Sequence, residues 1–359
     1  MSGSRVVVLK TTPESVVDDY GKLMRQAGYR KAISREIPTM LKLNLSWTKY
    51  FPACSSQPWQ VHGVVKTMIE DGYPLDMIVP VENRTVVTDP IKGARNNRWM
   101  SVLDSHGLKF TPLTDVKWVK HEFREPLLKL DQIFPEGIEI PEMYIGKNVI
   151  HLPTVKTHGH STTTGAIKNS FGGLLKTVRH YAHKYIHEVL VDLLIMQKEL
   201  HPGIFAVMDG TVCGNGAGPR TMIPVEKDYI IASSDSVAID SVAAAMMGFE
   251  PMTIPYLRMA HERGLGTADL TEIEIQGEDI AGVNFGFTVK RSFVIWGDQL
   301  IRKGALQPFE KLLLHSPLVF WAPMASNIYH DYFWYPLVGK GIIRKFNDGK
   351  WGRLFDTYR

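Results

Sequence analysis

TMLKLNLSWTKYFPACSSQPWQVHGVVKTMIEDGYPLDMIVPVEN, residues 39–83, holds a complete strand–helix–strand unit. TMLKLNLS (39–46) and MIVPVEN (77–83) are short apolar runs of strand length. Between them WQVHGVVKTMIEDG (59–72) spaces its apolar residues as a helix does, starting after Gln57-Pro58 and stopping at Gly72. Strands joined through a helix pair in parallel, because only a crossover connection can bring the second strand back in the same direction. The rhythm extends both ways. VVVLK (6–10) reads as a strand with a helix over 14–27 behind it, and NVIHLP (148–153) as a strand followed by helices over 163–175 and 181–199. IFAVMDG (204–210) and DYIIASS (228–234) are further strands, and DSVAIDSVAAAMMGF begins a helix capped by Ser234 or Asp235. A helix over 254–266 precedes TEIEIQG (271–277), whose alternation suits an exposed or edge strand. The expected fold is α/β: a mostly parallel sheet covered by helices, in one lobe or two. Residues 1–290 form the core, 84–148 an excursion or second lobe, and 291–359 an aromatic-rich C-terminal extension.

The 359 residues carry 44% hydrophobic and 22% charged side chains, the balance of a globular chain. The net charge of +4 is spread out, with no basic arm, zinc finger or RNP pattern, so no nucleic-acid partner is expected. Cys54 and Cys213 are the two cysteines; they cannot ligate an iron–sulfur cluster within one chain, and two reduced thiols are expected. The start MSGSRVVVLK has no apolar signal region, which points to the cytoplasm. Residues 312–330 lack Lys, Arg, Asp and Glu over nearly a membrane-spanning length, yet two prolines and several polar residues argue against a span. The aromatics of 317–359 are expected to pack over the core. The other readings are an apolar ligand tunnel and a membrane-peripheral patch with Lys340, Arg344 and Lys345 near lipid headgroups.

The chemistry concentrates in HLPTVKTHGHSTTTGAIKNSFGGLLKTVRHYAHKYIH, 151–187, which holds six of the thirteen histidines: 151, 158, 160, 180, 183 and 187. In a parallel sheet the loop after a strand's carboxyl end is where ligands sit, and His158 and His160 fall on such a histidine-rich loop. Thr164 lies where the chain enters the next helix, whose free N–H groups favour an anion, while Lys156, Lys168 and Asn169 supply further anchors. Imidazoles that titrate near neutrality suit proton transfer beside a carboxylate or carbonyl. His151, inside the strand, is read as structural. His183 and His187, four apart on the expected helix, are candidate metal ligands. DGTVCGNGAGPRTMIP (209–224) is expected to be a flexible ligand loop: Gly214, Gly216 and Gly218 bare the backbone, Arg220 adds charge, and Asp209 stands at the strand end. Asp240, one turn beyond the cap, exceeds what capping needs. Lys42 and Asn44 alternate with leucines on the second strand, and in a covered sheet they require a ligand or an acidic partner.

Together, Lys42-x-Asn44, HLPTVKTH with TTTGAIKNSFGG, the DG…GNGAGP run, SSDSVAIDSVAAAMMGF and YLRMAHERGLG resemble, in order and over roughly 35–280, the domain of unknown function 362 family. Many members carry ferredoxin-like cysteine clusters and are presumed redox proteins; this chain lacks those cysteines, and the aromatic tail takes their place. A more distant similarity is to the lactate racemase family, in which a His precedes by ten residues a Lys that carries a nickel-pincer nucleotide near a Gly-rich turn. His158 and Lys168 have that interval, with Gly172-Gly173 beyond, so this similarity implies a pincer-type nucleotide on Lys168.

The functional expectation is an enzyme acting on a small carboxylate- or phosphate-bearing molecule. His158 and His160 would transfer protons, and Lys168 would act as anchor or catalytic group. Lys156, Thr164 and Asn169 would bind substrate or cofactor, with Lys42, Asn44, Asp209 and the 214–218 loop as the opposite wall. Isomerase, lyase and cofactor-assisted reductase chemistry all fit these residues. The alternatives are a non-catalytic metal- or cofactor-delivery protein and a membrane-peripheral binder of a lipid-like or quinone-like ligand.

Overall fold

The computed structural model describes residues 4–85, 87–176, 182–290, 321–359 and positions 296–297, 300–302, 304 and 308; His180 and residues 312–320 lie outside them. The first half of the chain runs β1 (Ser4–Lys10), α1 (Val16–Gln26), α2 (Tyr29–Ala32), β2 (Thr39–Lys42), α3 (Pro58–Glu70), β3 (Ile78–Glu82), α4 (Pro90–Asn96), α5 (Trp99–Ser105), β4 (Thr111–Pro112), β5 (Trp118–His121), α6 (Leu130–Ile133) and β6 (Ile138–Pro141). The second half adds β7 (Asn148–His151), β8 (Thr154–His158), β9 (Thr162–Thr163), α7 (Ala166–Leu174), α8 (Ile186–Leu200), β10 (Ile204–Ala217), β11 (Thr221–Ser233), α9 (Ser236–Met247), α10 (Pro255–Glu262) and β12 (Ile273–Gly277). The main sheet is ordered β12-β1-β11-β10-β7-β2-β3-β4, with β8 on β10 and β9 on β8. Its β10-β7-β2-β3-β4 side is parallel throughout, and β11 runs antiparallel to both β1 and β10.

Alternation along the strands divides the core into two layers. Val7, Leu41, Ile150, Phe205 and Val207 face α1, α3 and α5, where Tyr20, Trp59 and Trp99 are fully buried. Their neighbours Met40 and Val149 face α7, α8 and α10, while Val6, Val8, Ala206 and Met208 face α9. The 84–148 stretch gives three short α-helices, an edge strand and the separate antiparallel pair β5–β6, and its Leu113, Leu130 and Ile140 pack into the α7–α8 layer.

Three expectations are corrected. The second strand stops at Lys42, so Asn44 lies beyond it, its backbone N–H donating to Ser56 Oγ (2.9 Å) and its amide to the Cys54 carbonyl (3.4 Å). The 209–224 run is no loop: β10 and β11 form one hairpin, paired from Ala206–Ser233 to Ala217–Thr221 with an irregularity between Gly210 and Val212. Its glycines serve packing, since a Cβ at 214 would meet Met222 Sδ at 2.5 Å and one at 218 the Thr157 carbonyl at 1.9 Å, while Gly216 adopts φ +103°. Finally, His183 precedes α8 and His187 is its second residue, so the two do not share a helical face.

Among the described residues of the C-terminal extension, several rings pack on the core. Trp351 lies against Trp59 and donates to Asp228 (2.7 Å), Phe355 stacks on Tyr50, and Trp334 and Tyr335 cover Trp47 and Phe51. Among the described residues no helix is long and apolar enough to cross a membrane.

Between the layers sits an ion pair. Lys42, at the end of β2, donates to both oxygens of Glu82 at the end of β3 (2.8 and 2.9 Å), and both side chains are buried. Glu82 also accepts the N–H groups of Leu45 (2.9 Å) and Asn83 (2.7 Å). Breaking such a pair from one side strands a buried charge, whereas removing both charges can be close to neutral. Lys42→Met should therefore cost about 3–5 kcal/mol in urea unfolding, and Lys42→Met/Glu82→Met should recover most of the loss; equal losses in both variants would contradict this account.

Candidate functional site

β8 ends at His158, and the turn that follows folds back as β9 before α7 begins. The turn is closed by His158 itself: its Nδ1 accepts the backbone N–H groups of His160 (3.2 Å) and Ser161 (3.4 Å). The ring's proton is thereby assigned to Nε2. Burial first, and then the charges of Lys168, His160, His183 and Lys156, hold its pKa well below the usual histidine range, so His158 is neutral. His160, half-buried, lies 5.8 Å ring to ring from His158 and 5.6 Å from His183. His183 lies edge-on to Phe171 (5.5 Å), over whose ring the Lys168 ammonium sits at 5.4 Å. His158, His160, His183 and Lys168 thus converge at the carboxyl end of β8.

Lys156, on the same strand, is 1% exposed. Its Nζ donates to Ser46 Oγ (2.9 Å) and to the Cys54 carbonyl. Burial pulls its pKa down to about 7, and the charge of Lys168 adds to the effect. A neutral amine has two N–H groups, matched here by two acceptors, and retains its lone pair.

The other expected residues are placed elsewhere or are occupied. Asn169 donates to the Lys42 carbonyl (2.8 Å) and accepts from Lys42 Nζ (3.5 Å), so it clamps α7 onto the ion pair. Thr164 bonds back to the carbonyls of Thr154 and Lys156. Asp209 points into the α1–α3 layer, on the face of the sheet opposite α7. There Tyr20 (2.6 Å), Trp59 (2.9 Å) and Thr211 (2.8 Å) saturate it, and it is no wall of the histidine site. His151 is structural as expected: it is buried, bonded to Gln197, and its pKa is lowered to about 3 by burial. Among the described residues no group of three or more His, Cys, Asp or Glu is arranged to hold a metal ion; His183 turns to Phe171 and His187 stacks on Tyr256. Gly172 and Gly173 are inside α7 rather than in a turn. A Cβ at 173 would meet Tyr144 Oη at 3.0 Å, so Gly173 is kept bare by packing.

The start of α7 is not open to an external anion. Asp240, reaching across from α9, accepts the N–H groups of Ala166 (2.6 Å) and Ile167 (3.2 Å). Gly165 makes room for it, because a Cβ there would stand 2.1 Å from Asp240 Oδ1. The expected anion site at this helix start is filled from within. Sequence reasoning also missed Glu82 and Ser46. Glu82 carried a signal, a charge ending the strand beside the one that ends in Lys42; Ser46 carried none.

The model of the family described as domain of unknown function (DUF362) matches residues 39–245, more than half of the chain. A thylakoid-associated protein of the cyanobacterium Synechocystis is 33% identical over 129 residues, 34% of this chain and 40% of that protein. The chain thus matches about two fifths of the length of this curated relative.

Burial raises the pKa of Asp240 to about 7 from an ordinary 3.8, despite the two N–H bonds that pull it down. A carboxyl whose pKa is raised by folding contributes stability that is complete below its unfolded pKa and is lost as pH rises through the folded one. Relative to Asp240→Asn, the wild-type protein should therefore lose up to roughly 4 kcal/mol between about pH 4 and pH 7. Parallel urea titrations would check this; a constant difference across that window would show that Asp240 ionises normally.

Proposed function

The chain belongs to the domain of unknown function DUF362 family, and we propose that it is an enzyme that moves a proton at carbon beside the carboxylate or phosphate of a small substrate. The observation that carries this reading is the convergence of His158, His160, His183 and Lys168 next to a buried Lys156 whose pKa is about 7. A base works best when its pKa lies near the operating pH, and a desolvated lysine meets that condition. Lys156 Nζ takes the proton from carbon, and the electron pair left behind moves onto the adjacent carbonyl or carboxylate oxygen. His158, neutral and carrying its proton on Nε2, donates a hydrogen bond to that oxygen, and Lys168 balances the charge. Return of the proton from Lys156 completes the cycle. The roles differ from the sequence expectation: His158, its Nδ1 lone pair engaged by the backbone, becomes a donor, and Lys156 becomes the base.

Isomerisation, racemisation and elimination share this proton transfer, so solvent exchange reads it without knowledge of the product. With a panel of hydroxy- and keto-carboxylates and phosphate esters in heavy water, the wild-type protein should incorporate deuterium into one class, detected by mass spectrometry. The rate should rise as pH passes through about 7, where Lys156 loses its proton. Lys156→Met should slow exchange ~100-fold or more, and His158→Ala should slow exchange but leave binding of the same compound. Binding without exchange in the wild-type protein would favour a delivery protein instead.

A second reading, contact with a membrane surface, is favoured by the C-terminal helical run. Met324, Ile328, Tyr332, Phe333, Leu337 and Val338 are exposed on it, Leu337 by 78%, and the exposed Lys340, Arg344 and Lys345 follow directly. Apolar side chains flanked by cations fit an anionic lipid interface, and the thylakoid-associated relative adds weight to this reading. The protein should float with phosphatidylglycerol vesicles and not with phosphatidylcholine ones, and Phe333→Glu/Leu337→Glu should abolish flotation; co-flotation of the double variant would remove this reading.

A further inference from the structure

Arg220 lies in the turn that joins β10 to β11, and its side chain is buried, with 9% exposure. One arm of the guanidinium, Nη2, donates to Ser326 Oγ (2.6 Å) on the helix Trp321–Asn327. The other, Nη1, is buried and has no hydrogen-bond partner among the described residues. Burial lowers the pKa of this guanidinium only to about 10, so it is charged at neutral pH.

Among the described residues the carboxylate that acts on it electrostatically is Asp331, which takes the Trp47 indole N–H (2.6 Å) and leaves Nη1 without a hydrogen bond. The Cys54 thiol is pushed up to about 12 by burial and is uncharged; it donates instead to the carbonyls of Pro219 and Arg220. His330 is buried, and burial together with Arg220 brings its pKa down to about 4, so it is neutral. Its Nδ1 bonds the Ser326 carbonyl (2.7 Å), which assigns the ring proton to that nitrogen and leaves Nε2 as an acceptor. Trp47, Phe51 and Met222 line the same region with apolar surface.

A buried cation with an idle donor arm is costly unless something anionic completes it. We propose that Arg220, with the Ser326 hydroxyl, forms a buried oxyanion-binding site between the β10–β11 turn and the C-terminal helical run, and that it takes a carboxylate or phosphate group. The guanidinium offers Nη1 to one oxygen, and the Ser326 hydroxyl, which accepts from Nη2, has its own proton to give to another. An anion placed here draws a proton onto His330 Nε2, turning that ring from acceptor to donor. Lys156 and the histidine cluster are not part of this site, so it stands or falls apart from the proposed catalysis.

The test titrates inorganic phosphate and, separately, acetate at constant ionic strength and follows thermal unfolding of the full chain. In the wild-type protein at least one of the two should raise the midpoint in a saturable way, and the anion with the larger response names the ligand class. The response should weaken ~10-fold or more in apparent affinity in Arg220→Gln and persist in Lys168→Gln. No response in the wild-type protein, or an equal one in Arg220→Gln, overturns the proposal; a response lost only in Lys168→Gln would assign the anion to the histidine site and equally overturn it. Should Arg220→Gln fail to fold, the His330 imidazole nitrogens of the wild-type protein provide a second reading by NMR. They should shift towards the protonated form as the anion saturates, and resonances that stay fixed overturn the proposal.

Discussion

The burial of one ion pair constrains this architecture more than any other interaction. Lys42 and Glu82 end two adjacent parallel strands beneath a helix, where a lone charge of either sign would be intolerable. The surroundings are built to the pair's shape. The backbone turns after each strand so that Leu45 and Asn83 give their N–H groups to Glu82, and α7 presents Asn169, Gly172 and Gly173 where larger side chains would be held off. The helix that carries Lys168 is therefore positioned by contacts that have nothing to do with a ligand. Lys168 faces the histidines because Asn169, one residue on, is fixed to Lys42.

The strand–helix alternation was legible because a doubly covered parallel sheet must be apolar in short runs, and 39–83 states that pattern without ambiguity. The hairpin was not. Gly214, Gly216 and Gly218 imitate a ligand loop in composition, and only the three-dimensional closeness of Met222 and Thr157 shows that Gly214 and Gly218 are bare for packing, while Gly216 answers to its positive φ. The pairing of His183 with His187 failed for a local reason, the late start of α8. At the site, residue types and the loop after β8 could be read from sequence, since strand order places ligands at carboxyl ends. Protonation could not, because it depends on burial and on which nitrogen the backbone engages; the engaged Nδ1 of His158 and the lowered pKa of Lys156 emerge only once their partners are known.

The C-terminal helical run has two unlike sides. Ser326, His330 and Asp331 turn inward to Arg220 and Trp47, while Ile328, Tyr332, Phe333 and Leu337 are left in water. The sequence shows aromatic density there but not this division. A run that includes the π-helical turns Ile328–Gly339 does not follow the 3.6-residue period on which helical faces are normally judged.

The contact between Asp240 and the start of α7 makes positions 165 and 240 a single unit of inheritance. A side chain of any size at 165 would drive the carboxylate out, and a shorter residue at 240 would leave two buried N–H groups with nothing to bind. Neither site can drift alone, so the pair should change together or not at all among descendants of this chain. The same unit offers a handle for redesign: trimming residue 240 while keeping 165 bare would vacate the helix start and turn an internal strut into a receptor for a small anion supplied from outside.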